Sequence, residues 1–223
     1  MTKEFHFPFI QVRIGRFLFL LISILLLFVV RPFLEGYIGI GILLEVFFSF
    51  ILISGAYAVS RKKYLFIIGL LLGIAAFVTR WSTHFVQTSS LPLVGNSFMI
   101  VFFVYVTINL LSYLFSEREV TADVIMAAVC GYIFIGLIWA FVFSVIEALQ
   151  PGSFRLVEGQ TTEVANFTYY SFVTQTTLGY GDITPLTAPA RSISLLEAII
   201  GQLYLAVLIA RLVGIHISQS SGR

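Results

Sequence analysis

The chain has 223 residues, 59% of them hydrophobic and only 11% charged, with a formal net charge of +2. Soluble domains carry about 25% charged residues, so a water-soluble fold of this length is excluded, because it could not hide so much apolar surface. A lone cysteine, Cys130, excludes an intrachain disulfide and reads as a small core residue, and no nucleic-acid partner is expected.

A helix that crosses a bilayer needs about 20 apolar residues, and six such spans are predicted along the chain. The first covers residues 14–30 and stops at Arg31 and Pro32; the second covers 37–59 and stops at Arg61, Lys62 and Lys63. Residues 64–79 form the third, closed by Arg80, and 93–115 the fourth. Nothing in the first run resembles a small-residue cleavage site, so no removed signal peptide is expected. Glu45, in the second span, is the one acid at membrane depth in this half, which makes it a candidate intramembrane acid. Two readings fit it: a proton-sensing group, or a carboxyl bonded to Asn109, Tyr57 or nearby backbone.

A hydrophilic break at Glu117, Arg118 and Glu119 divides the chain into a four-helix peripheral domain, 1–116, and a second domain, 117–223. The fifth span covers residues 121–149. After an acidic outer loop containing Glu158 and Glu163, residues 166–175 are predicted to form a short helix with Asn166 as N-cap. Next comes Thr176-Thr177-Leu178-Gly179-Tyr180-Gly181-Asp182, then a loop with Pro185 and Pro189, then the sixth span, 193–215. Short helix, loop and long apolar helix make a re-entrant segment, and non-helical backbone at membrane depth survives only where protein or a water-filled cavity surrounds it.

Charge asymmetry sets the orientation. Six crossings put both termini on one side with Lys3, Arg13, Arg16, Arg61, Lys62, Lys63, Arg118, Arg211 and Arg223; the other side holds Arg31, Arg80, Arg155 and Arg191. The first side is expected to be cytoplasmic. Placement in the inner (plasma) membrane follows, with the re-entrant loop opening outward. Arg211 either faces the cytoplasmic opening or snorkels to the headgroups.

Two glycines flanking one residue let the backbone adopt conformations closed to residues with a Cβ, so successive carbonyls can face one axis. The 176–182 run resembles the selectivity filter of potassium channels, with Leu178 in place of the commoner valine, and residues 117–223 resemble the pore module of prokaryotic potassium channels. That resemblance implies an all-α membrane protein with six transmembrane helices, a pore helix and a filter loop, assembled as a homotetramer among membrane lipids. Potassium ions would bind at the carbonyls of Thr177, Leu178, Gly179, Tyr180 and Gly181 and at the Thr177 hydroxyl, in place of their hydration shells.

Further roles follow from the same family. Tyr169 and Tyr170 match aromatics that grip the filter, with hydroxyls aimed at Tyr180 or the pore-helix backbone; Thr176 and Asp182 complete the support. Gly201 occupies the place of a gating hinge in the inner helix, although a small residue for close helix approach fits equally. Val173 stands where some two-helix relatives carry a glutamate, so slow filter closure is expected to differ here. The topology is that of a voltage-gated six-helix channel, yet the fourth span holds no Lys or Arg. Without charges to move through the field, it can do almost no voltage-gating work.

The expected function is passive, potassium-selective, voltage-insensitive conduction, with K+ as permeant ligand, no cofactor and no enzymatic chemistry. The alternatives are a channel-related cation transporter and a non-conducting scaffold or receptor.

Overall fold

The computed structural model describes residues 16–34, 55, 63–85, 90–156 and 162–221. Its helices are α1 (Arg16–Leu34), α2 (Lys63–Phe85), α3 (Ser90–Ser116), α4 (Ala122–Leu149), α5 (Val164–Gln175) and α6 (Ala188–Ser221), and its strands are β1 (Phe154–Arg155) and β2 (Thr184–Pro185). Glu45 and, save for Gly55, the second predicted span lie outside the described residues.

Three of these helices are long and apolar enough to cross a membrane: Leu91–Ser116, Ala122–Leu149 and Ala188–Gln219. At 1.5 Å per residue, the 28 residues of α4 reach ~42 Å, beyond a hydrocarbon core about 30 Å thick. Helix α4 fills its predicted span but for Thr121, whereas α2, α3 and α6 overrun theirs, because apolar runs mark the lipid core while helical hydrogen bonding continues into the interface. Thus α6 starts at Ala188, with Pro189 in its first turn, where a missing N–H costs nothing. In α1 the helix continues through Pro32 to Leu34.

Thr121 caps α4: its backbone is extended and its side chain accepts from the Val124 amide at 3.3 Å. Asp123 adds negative charge to the first turn. Only five residues, 117–121, separate α3 from α4, so the two helices pack along each other. Both α1 and α3 contribute to one core with α4, in which Phe17, Phe102, Phe103, Leu110, Phe134 and Phe141 are among the buried side chains. A buried bond of 2.9 Å from the Asn96 amide to the Ser144 hydroxyl fixes the register of α3 on α4.

A second cluster packs at the C-terminal end of α4. Rings of Phe143, Phe154, Phe167 and Tyr170 meet edge-on at centroid distances of 5.0–5.5 Å, pairs that add about 0.5–1.5 kcal/mol each beyond their burial. Glu147, at the end of α4, accepts from the Gly152 and Phe154 amides at 2.8 and 3.1 Å. Pairing of Phe154 with Pro185 and of Arg155 with Thr184 makes a two-stranded antiparallel clasp. That clasp, absent from the sequence-based expectation, ties the loop after α4 to the segment leading into α6.

Candidate functional site: the 176–182 loop and its cradle

The short helix runs from Val164, not Asn166, and its N-cap is Glu163, whose extended backbone lets its carbonyl accept from the Asn166 and Phe167 amides. Asn166 is therefore inside the first turn, and Glu163 makes no side-chain cap bond. Helix formers on both sides of Val164 extend the element past the residue whose side chain looked like a cap.

At the other end, the four orphan carbonyls that every helix leaves all find partners. Amides of the loop itself return to three of them: Thr176 to Phe172 at 3.0 Å, Leu178 and Gly179 to Val173 at 2.9 and 3.3 Å, and Thr177 to Thr174 at 3.0 Å. The fourth, Gln175, accepts from the Tyr132 hydroxyl and the Gln202 amide, both at 3.3 Å. The loop is thus folded onto the negative end of the α5 dipole, a position that favours cations.

Along the loop, φ is positive at Thr177 (60°), Gly179 (61°) and Gly181 (79°), while Leu178 and Tyr180 between them keep negative φ. Alternating handedness of this kind allows successive carbonyls to point the same way. Among the described residues, the carbonyls of Thr177, Leu178, Gly179, Tyr180 and Gly181 accept no hydrogen bond. Residues 176–181 are all exposed in the single chain. If such a row is shut away from water, it is costly unless another donor or a cation meets it.

The side chains singled out in the sequence divide as follows. Tyr169 donates to Asp182 Oδ2 at 2.7 Å, and the Ile183 amide donates to Oδ1 at 3.0 Å. The Tyr169 bond, with the Ile183 amide, holds the Asp182 carboxyl below its ordinary range. Tyr170 instead shares a 2.7 Å bond with Ser194 on α6. Neither hydroxyl meets Tyr180 or α5 backbone. Thr176 donates back to the Phe172 carbonyl. Gly201 lies on an unbroken α6 directly behind the loop: a Cβ there would sit 2.7 Å from Gln175 Cγ and 2.9 Å from its carbonyl, so close approach demands glycine. Val173 is buried, and its carbonyl is the double acceptor named above.

Several residues in this cradle carried no expectation. Ser171, Gln175, Ser194 and Glu197 are buried polar groups on the faces where α4, α5 and α6 meet. A signal existed for one of them: Glu197 is the single acid in the apolar stretch of α6. Arg211 departs from both of its readings. Its Nη2 donates to the carbonyls of Leu114, Phe115 and Glu117 at 3.0, 2.8 and 3.1 Å, and Cζ lies 4.9 Å from the Phe115 ring centroid. It caps the C-terminus of α3.

Residues 129–216 match the ion channel family. The match spans most of α4, all of α5, the 176–182 loop and most of α6, the same elements that build the cradle. A rice protein (Oryza sativa subsp. japonica), Two pore potassium channel c, is 39% identical over 66 residues, which are 30% of this chain and 14% of that protein. This chain therefore matches only a small part of that relative's length. An ion-channel domain is a conduit; it is not an enzyme and needs no cofactor. With its long apolar helices, the chain is a membrane protein in which residues 129–216 are similar to ion channels.

Proposed function

We propose that four copies of this chain form a potassium-selective channel of the prokaryotic six-transmembrane type, in which the 176–182 loops surround one axis. The observation that carries this reading is the alternation of positive and negative φ with a row of carbonyls that have no partner among the described residues. Four such rows replace the water shell of a cation. Potassium ions pass in single file between the carbonyls of Thr177, Leu178, Gly179, Tyr180 and Gly181 and the Thr177 hydroxyls. Similarity of a 66-residue stretch to a protein named as a potassium channel favours K+ over other cations.

The exposed apolar residues of α6, among them Leu195, Ile199, Leu203 and Val207, suit packing against neighbouring copies and lining an inner cavity. Residues 1–116 form the peripheral domain, and helix α3, the fourth predicted span, without Lys or Arg, leaves conduction insensitive to voltage. Both termini face the cytoplasm from the inner membrane, and Tyr169, Tyr170, Thr176 and Asp182 support the filter. Gly201 serves close packing of α6 on α5, and any bending there separates it from Gln175.

Labelled potassium uptake into liposomes loaded with the purified protein, with sodium as competitor, tests this reading. Fast uptake that sodium does not compete away is expected. Saturating, slow turnover would point to a transporter, and no uptake to a non-conducting scaffold; either outcome sinks the channel.

A further inference from the structure

Glu197 is wholly buried, at 0% exposure, on the face of α6 that packs against α5. Its Oε1 is hydrogen-bonded to Ser171 Oγ, and the same Oγ lies 2.7 Å from the Gly136 carbonyl on α4. Oε2 is buried and has no hydrogen-bond partner among the described residues. The titratable groups facing this carboxyl are two phenols, Tyr170 on α5 and Tyr132 on α4. No cationic group faces it among the described residues.

Counting protons decides how the chain of bonds runs. A serine hydroxyl has one proton and a backbone carbonyl has none. When Ser171 gives its proton to Gly136, the bond between Ser171 and Glu197 needs a proton from the carboxyl. An ionised Glu197 would compete with Gly136 for the single serine proton and leave a charged oxygen buried without a partner, the most expensive arrangement available to it.

We propose that Glu197 is a positioning residue for the filter and keeps its proton: its O–H donates to Ser171 Oγ, whose O–H donates to the Gly136 carbonyl. This directed relay links α6, α5 and α4 in series and fixes the rotation of α5 about its axis. Ser171 lies half a turn before Val173 and just under one turn before Thr174, whose carbonyls hold the loop amides, so rotation of α5 displaces the loop. The role as filter positioner rests on the channel reading above; the proton and its bond do not.

Infrared spectroscopy of the full chain in lipid tests the proton directly. A protonated-carboxyl C=O stretch that disappears in Glu197→Gln and shifts in Ser171→Ala is expected; a wild-type spectrum without that band overturns the proposal, whether or not the protein conducts. The potassium-to-sodium permeability ratio tests positioning. Glu197→Leu is expected to lower it about tenfold, the effect of one lost buried hydrogen bond, and Glu197→Gln, which keeps a neutral N–H donor, to restore most of that loss. A Gln variant as impaired as the Leu variant would contradict the neutral donor. Wild-type protein that carries no potassium at all sinks the channel reading, while the infrared band still decides the proton.

Discussion

Thr177 alone, among described residues with a side chain, has a positive φ. For a β-branched residue this conformation is a true outlier and costs of the order of 1–3 kcal/mol, so the surrounding bonds must impose it. They do: the Thr177 amide is held by Thr174 and the next two amides by Val173. Glycine spacing made the loop legible in the sequence, because few other patterns ask for left-handed backbone at every second residue. The partners of Tyr169 and Tyr170 were not legible, since the reversal at Thr177 decides what each hydroxyl can reach. Asp182 shows the consequence. With its ionised form favoured by the Tyr169 bond, its contribution is complete above the ordinary value of 3.8 and is lost as pH falls through the lowered one. Tyr169→Phe removes that bond, so acid-induced loss of potassium current is expected to begin at higher external pH than in wild type. Superimposable pH curves would show that the bond does not support the outer mouth. Gly201→Ala places a methyl 2.7 Å from Gln175 Cγ; overpacking of this kind costs about 1–3 kcal/mol, and a lower midpoint of thermal unfolding in detergent is the expected result.

At the level of elements, apolar runs located the helices but not their ends. Lipid-facing composition stops where the bilayer stops, while α3 continues until its last carbonyls meet Arg211. Asn166 illustrates the limit: side-chain chemistry suited to an N-cap sits inside the first turn of α5, because Glu163 carries the extended backbone. The β1–β2 clasp was illegible for a different reason, as two-residue strands have no period to read. Arg211 is the clearest case of a residue whose role needed three dimensions: it reaches across from α6 to three carbonyls at the end of α3. Charged donors on orphan carbonyls are worth about 1.5–3 kcal/mol. Arg211→Gln is expected to speed amide hydrogen exchange over residues 114–119 while leaving α5 protected. Unchanged exchange at the end of α3 would mean that water caps that helix as well as the guanidinium does.

For the whole molecule, the peripheral helices α1 and α3 pack on α4 of their own chain, and Arg211 adds a polar tie from α6 to α3. The α3 end and the C-terminal half of α6 are thus joined within one chain. The helical membrane character and the position of the loop were readable because composition and a seven-residue pattern agreed. Buried polar contacts such as Ser171 with Glu197 were not, because sequence spacing does not reveal which faces of α4, α5 and α6 meet. The central claim is that four 176–182 loops enclose a file of dehydrated cations, and a density map of the purified protein in potassium, compared with one in sodium, tests it most directly. A fourfold particle with a line of density beside the carbonyls of Thr177, Leu178, Gly179 and Tyr180 in potassium is the expected result. A monomer, or a fourfold axis with no cation density along those carbonyls in potassium, would contradict it.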